Sequence, residues 1–121
     1  MTRLISYVGS SAGGTGSAVN VSLSTNTWYH IVVVKTGVTT REVYINGNKI
    51  TSMANNNWWG GDLNKFDIGG RHISNTYKDY FNGKMVDVRA YVTALSAAAI
   101  KELYLTSLDT SSGSPKAREL E

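Results

Sequence analysis

The stretch "NTWYHIVVVKTGVTTREVYINGNKI" (26–50) decides the fold class. It holds an apolar run, a Gly-containing loop, a second alternating run and then Asn46-Gly47. A two-residue hairpin turn of type I′ needs positive φ at both central residues, and Asn followed by Gly tolerates that best. "REVYIN" (41–46) and "NKITSM" (48–53) are therefore expected to be the two arms of a hairpin. "WYHIVVVK" (28–35) is the strongest strand signal in the chain. Its nearly continuous apolar character predicts a central strand buried on both faces, or a core strand of a sandwich.

Outward from this hairpin the pattern repeats. "RLISYV" (3–8) and the cleanly alternating "VNVSL" (19–23) read as strands, with the flexible "GSSAGGTGSA" (9–18) as the loop between them. Residues 54 to 64, "ANNNWWGGDLN", read as a long polar loop carrying two Trp. "KFDIGG" (65–70) reads as a short strand ending in a Gly pair, and "RHISNTY" as a further strand. "KMVDVRAYV" (84–92) alternates, with Val86, Val88, Ala90 and Val92 on one face and Asp87, Arg89 and Tyr91 on the other. Asp87 and Arg89, two residues apart on that face, read as an ion pair. In "LSAAAIKELYL" the period changes: Ser96 is a good N-cap, and Ile100, Leu103 and Tyr104 recur at helical spacing. Short strands divided by turn residues, followed by one helix, predict an all-β antiparallel sandwich or barrel with one short C-terminal helix. Residues 1–108 form the expected domain, and 109–121, polar and without periodicity, an expected disordered tail.

The 121 residues suffice for one domain with a real core. There is no Cys, which rules out disulfides, a thiolate metal site and a Cys nucleophile. The longest apolar run, "IVVV", is far short of a membrane span, so no membrane insertion is expected. The opening "MTRLISYVGSS" reads as a strand rather than a secretory leader. The formal net charge is +3. Lys and Arg are spread singly with no run of three, which argues against a nucleic-acid stripe.

The ordered pieces "WYHIVVVKTG", "VYINGNKI", "FDIGG" and "YFNGKMVDVRAYVTALSAAAIKELY" resemble the laminin-G-like, concanavalin-A-like jelly roll, over roughly residues 26 to 105. The resemblance implies a jelly-roll β-sandwich in which Trp28 packs and His30 is a core or edge histidine. The opening strands usual in that family are missing, so the chain looks like the later part of a jelly roll, a fragment or an unusually short member. An unpaired sheet edge then follows, and with it a homo-oligomer, a two-fold dimer being favoured.

Glycosidases need two facing carboxylates, roughly 5–5.5 Å apart for retention or 6.5–9.5 Å for inversion. Glu42, Glu102, Glu119 and Glu121 form no such cluster, and no Gly-x-Ser-x-Gly occurs, so no enzyme is expected. No cofactor and no metal are expected. Calcium is the exception that the resemblance leaves open: Asp62 and Asn64 could face one ion, but a turn-forming Asp explains them as well. The functional lead is the aromatic loop, with Trp58, Trp59 and Asn57, and with Arg71 and Tyr77 as further lining. A Trp face stacks on a sugar ring and Asn amides take its hydroxyls; the competing reading folds one Trp back into the core. The expected function is a non-catalytic, carbohydrate-binding recognition module of an extracellular or virion-surface protein. The alternative is a structural protein–protein interaction module of a virion or appendage.

Overall fold

The computed structural model describes the backbone of residues 2–10, 13–37, 40–54, 68–73 and 76–108, with side chains placed for 20–37, 40–52, 68–70 and 76–108. All the strands it describes pair antiparallel, and one helix closes the described chain. β1 (Thr2–Ser10) and β2 (Gly13–Val21) pair along their full length, from Thr2↔Val21 to Ser10↔Gly13. The Gly-rich segment 9–18, expected to be a loop, is thus mostly strand. Glycine's weak strand preference is overridden because every residue of β2 has a partner on β1, and the register sets Tyr7 opposite Gly16.

The second sheet has the order β3-β4-β5, with β3 at Ile31–Lys35, β4 at Thr40–Ile45 and β5 at Asn48–Ala54. Asn46 and Gly47 take φ of 51° and 74°, the positive pair of the expected type I′ turn. Between Val43 and Tyr44 the register shifts, leaving Ile50 as an extra residue on β5. The central strand is β4, not the apolar run 28–35. Arg41, Val43, Tyr44 and Ile45 are all buried, so both faces of β4 are covered. β3 starts only at Ile31 and lies at the sheet edge, with Ile31 41% and Val33 43% exposed. Trp28, expected to pack, precedes the strand and is 40% exposed. Among the described residues the apolar run has one hydrogen-bonded neighbour, while the more polar β4 has two.

The helix α1 (Ala97–Ser107) starts at Ser96 as the sequence predicts: the Ala99 amide donates to Ser96 Oγ at 3.2 Å. Its Ile100 is fully buried in a cluster with Val34 and Tyr44, and Val32 and Leu95 pack around it. The helix comes down on the hairpin tip. A Cβ on Gly47 would lie 2.7 Å from Lys101 Cδ and 3.3 Å from Lys101 Cα. Glycine at 47 therefore meets two demands, the positive φ and the close approach of α1.

β6 (Arg71–Ile73) and β7 (Thr76–Lys78) form a small hairpin. Of the expected strand 65–70, residues 68–70 form a bend with Gly69 at φ 78°, and 65–67 lie outside the described residues. Residues 84–92, expected to be a long strand, form none. Asp87 has φ 54°, which interrupts the extended course, and its carboxylate takes both Arg89 Nε and Nη2 at 2.7 and 2.9 Å. The expected ion pair is present, but it spans a bend. The expected disordered tail 109–121 lies outside the described residues.

Candidate ligand-binding face

Trp58, Trp59 and Asn57 lie outside the described residues, as do Asp62 and Asn64 of the calcium expectation. Arg71 opens β6 opposite Lys78, and Tyr77 of β7 is opposite His72. Arg71 and Tyr77 are thereby brought into one hairpin. Tyr77 is 51% exposed.

Around this hairpin the structure gathers aromatic side chains that the sequence reading passed over. Gly69, in the left-handed region, turns the chain into β6, and its carbonyl accepts the Phe81 amide at 2.8 Å. This bond closes the base of the hairpin. Asp79, also left-handed at φ 55°, turns the chain out of β7 and is followed directly by Tyr80 and Phe81. The Tyr80 ring lies over Gly70, where a Cβ would meet Tyr80 Cδ1 at 3.7 Å. Phe81 Cβ and Met85 Cε come to 3.8 and 3.7 Å from the equivalent point on Gly69. The Phe81 ring folds back on Gly83, where a Cβ would be 2.9 Å from its Cε1 and Cζ. Tyr80 is 72% exposed, and Ile68, Phe81 and Met85 are more than 45% exposed. The result is a surface patch of aromatic and apolar side chains on a Gly-Gly bend, adjoining in sequence the loop of Trp58 and Trp59. The signal that could have found it was "YFNG" following the Gly pair: bare backbone at Gly69, Gly70 and Gly83 leaves room for flat rings.

A second feature is an open groove of about 380 Å³ between α1 and the chain before it, lined by Tyr91, Leu95, Ala99, Glu102, Leu103 and Thr106. That volume is near the lower bound of small-molecule sites.

Two ion pairs lie elsewhere among the described residues, Glu42–Lys49 and Asp87–Arg89. Glu42 takes the Lys49 ammonium and the Tyr44 hydroxyl, the latter at 2.7 Å. These bonds hold the Glu42 carboxyl below its ordinary value and push Tyr44 and Lys49 up. The Asp87 carboxylate, and then Tyr91, raise Arg89. Burial lowers Arg41. Among the described residues no group of three His, Asp or Glu could hold a metal ion.

His30 sits where β3, the hairpin turn and α1 meet. Its amide donates to Asn46 Oδ1 at 3.0 Å and its carbonyl accepts the Asn46 amide at 2.8 Å. Its ring lies 6.0 Å from that of Tyr104, tilted by 38°. Nδ1 is buried and has no hydrogen-bond partner. Burial lowers the imidazole from its ordinary 6.5, with Asp87 opposing and Arg89 reinforcing the shift. The expectation of a core or edge histidine describes this position.

The described residues thus comprise antiparallel strands, one helix and an exposed aromatic patch. Residues 3–101 match the family described as Concanavalin A-like lectin/glucanases superfamily, of the laminin-G type, and the chain belongs to that family. It is similar to a solved structure, residues 221–444 of an S-layer domain-containing protein from Clostridium thermocellum ATCC 27405. The two are 26% identical with a TM-score of 0.56, over 84% of this chain and 50% of that one. The chain thus spans half the length of that structure. No curated protein matches it.

Proposed function

We propose that this chain is a non-catalytic recognition module that binds carbohydrate. Its strands would close as the jelly-roll sandwich of its family, on a protein displayed outside the cell or on a virion surface. The observation that carries this reading is the exposed aromatic patch in which Phe81 and Tyr80 lie against Gly69 and Gly70, next to the hairpin that carries Tyr77. Flat rings exposed on a braced turn present π-faces to the apolar face of a sugar, and neighbouring amides and phenols supply hydrogen bonds to its hydroxyls. Trp58, Trp59, Asn57 and Arg71 would extend the same face. The family description and the likeness to an S-layer domain-containing protein support surface display.

A glycan array tests the proposal. Selective hits are expected, and Tyr80→Ala, Trp58→Ala and Trp59→Ala should each weaken them without lowering the melting temperature. An array with no hits would favour the alternative, a protein–protein module of an appendage or virion. The same S-layer likeness is the observation on its side.

A further inference from the structure

We propose that Asn82, in the exposed segment after the β6–β7 hairpin, is a site of spontaneous covalent modification, converting to aspartate and isoaspartate in the folded protein. The chain holds two Asn-Gly pairs, Asn46-Gly47 and Asn82-Gly83. Both share one intrinsic chemistry. The glycine nitrogen, having lost its proton to solvent base, attacks the Asn Cγ. The C–N bond of the carboxamide breaks, ammonia leaves, and a cyclic succinimide remains. Water then opens either of its carbonyls, giving aspartate or, with the backbone rerouted through the side chain, isoaspartate. The balance is water taken up and ammonia released, with no oxidant, reductant or metal. Glycine favours the attack because no Cβ hinders its nitrogen and its backbone turns freely.

The fold separates the two pairs. At Asn46 the carboxamide is tied down: Oδ1 accepts the His30 amide at 3.0 Å, and the Asn46 amide donates to the His30 carbonyl at 2.8 Å. The turn is fixed at φ 51° and 74°, and α1 lies on it, with a Gly47 Cβ falling 3.2 Å from Tyr104 Cδ1. Swinging Cγ of Asn46 onto the Gly47 nitrogen would break the bond to His30 and distort a turn packed under the helix. Asn82 and Gly83 are both exposed, and neither makes a hydrogen bond among the described residues. They belong to no helix or strand, and the last backbone anchor before them is the Phe81 amide on the Gly69 carbonyl. The Asn82 carboxamide is therefore free to rotate onto the next nitrogen. The product falls within the aromatic face. It sets a new carboxylate between Phe81 and Gly83, whose ring and backbone are in contact. In isoaspartate it also lengthens the backbone between them by one carbon.

Incubation of the whole folded chain at mildly alkaline pH, followed by separation on charge and tryptic mapping, tests this. Cleavage after Lys and Arg puts the two pairs on separate peptides, 42–49 and 79–84. In the folded chain the 79–84 peptide should gain a negative charge and split into aspartyl and isoaspartyl forms, at a rate that rises with pH. Asn46 should convert roughly tenfold more slowly or less, because its reaction waits on local opening of the turn. In denaturant the two pairs should convert at similar rates. Asn82→Gln, which keeps the amide but closes a larger ring, should abolish the main acidic species of the aged protein. An Asn82 that stays intact in the folded chain would overturn the proposal, whatever happens in denaturant. So would conversion of Asn46 as fast as Asn82 in the folded chain, or a main acidic species that survives Asn82→Gln.

Discussion

Asn46 takes a left-handed conformation and bonds both backbone groups of His30. Those bonds pin the imidazole against α1, with Nδ1 buried and without a partner. A proton on that ring would have to be held in a buried site between Tyr104, Asp87 and Arg89, and burial outweighs the help from Asp87. The folded value is lowered, so the unfolded chain binds the proton first. Stability is then unaffected by His30 above the ordinary 6.5, is lost as pH falls through that value, and levels off below the lowered folded one. The chemical-denaturation midpoint should fall on acidification from pH 7 towards 5. His30→Gln, made in a His72→Gln background to remove the other imidazole, should flatten that slope. The Glu42 carboxylate contributes in the same direction only at lower pH, as it protonates below its ordinary 4.5. An unaltered slope in the double variant would show that the His30 ring is solvated.

At the scale of elements, α1 is what makes the three-stranded sheet a packed body. It lies across the hairpin tip and seals Val34 and Tyr44 with Ile100. Truncation to Ala at Ile100 removes a fully buried side chain and leaves a cavity, so it should cost about 2–5 kcal/mol in equilibrium unfolding. A loss under about 0.5 kcal/mol, the range of exposed-site substitutions, would mean that the helix is not docked in solution. Among the described residues β3 has one ladder and packs through Val32 and Val34, while β4 has ladders on both sides.

For the whole molecule, no helix among the described residues is long and apolar enough to cross a membrane. The calcium expectation also belongs to this scale, because an ion bound to the folded state stabilises the entire chain by mass action. No calcium effect is expected at Asp62 and Asn64, so millimolar Ca²⁺ should leave the melting temperature unchanged. A rise that disappears in Asp62→Ala would establish a calcium site.

Several features were legible in the residues alone because their causes are local. The Asn46-Gly47 turn follows from which residues tolerate positive φ, and the start of α1 from a hydroxyl three residues before an amide. The Asp87–Arg89 pair follows from spacing, and the family from the order of motifs along the chain. Of the candidate site, Tyr77 and Arg71 were named and prove to share a hairpin, while Tyr80 and Phe81 went unnamed because their exposure depends on where Gly69, Gly70 and Gly83 sit. Only the tertiary structure decided which strand is central, that the Gly-rich segment pairs as β2, and that residues 84–92 bend instead of extending. The physical reason is the same in each case. Hydrophobic pattern and propensity act within a few residues, whereas a strand is made by the hydrogen-bonding partner beside it, and that partner comes from elsewhere in the chain.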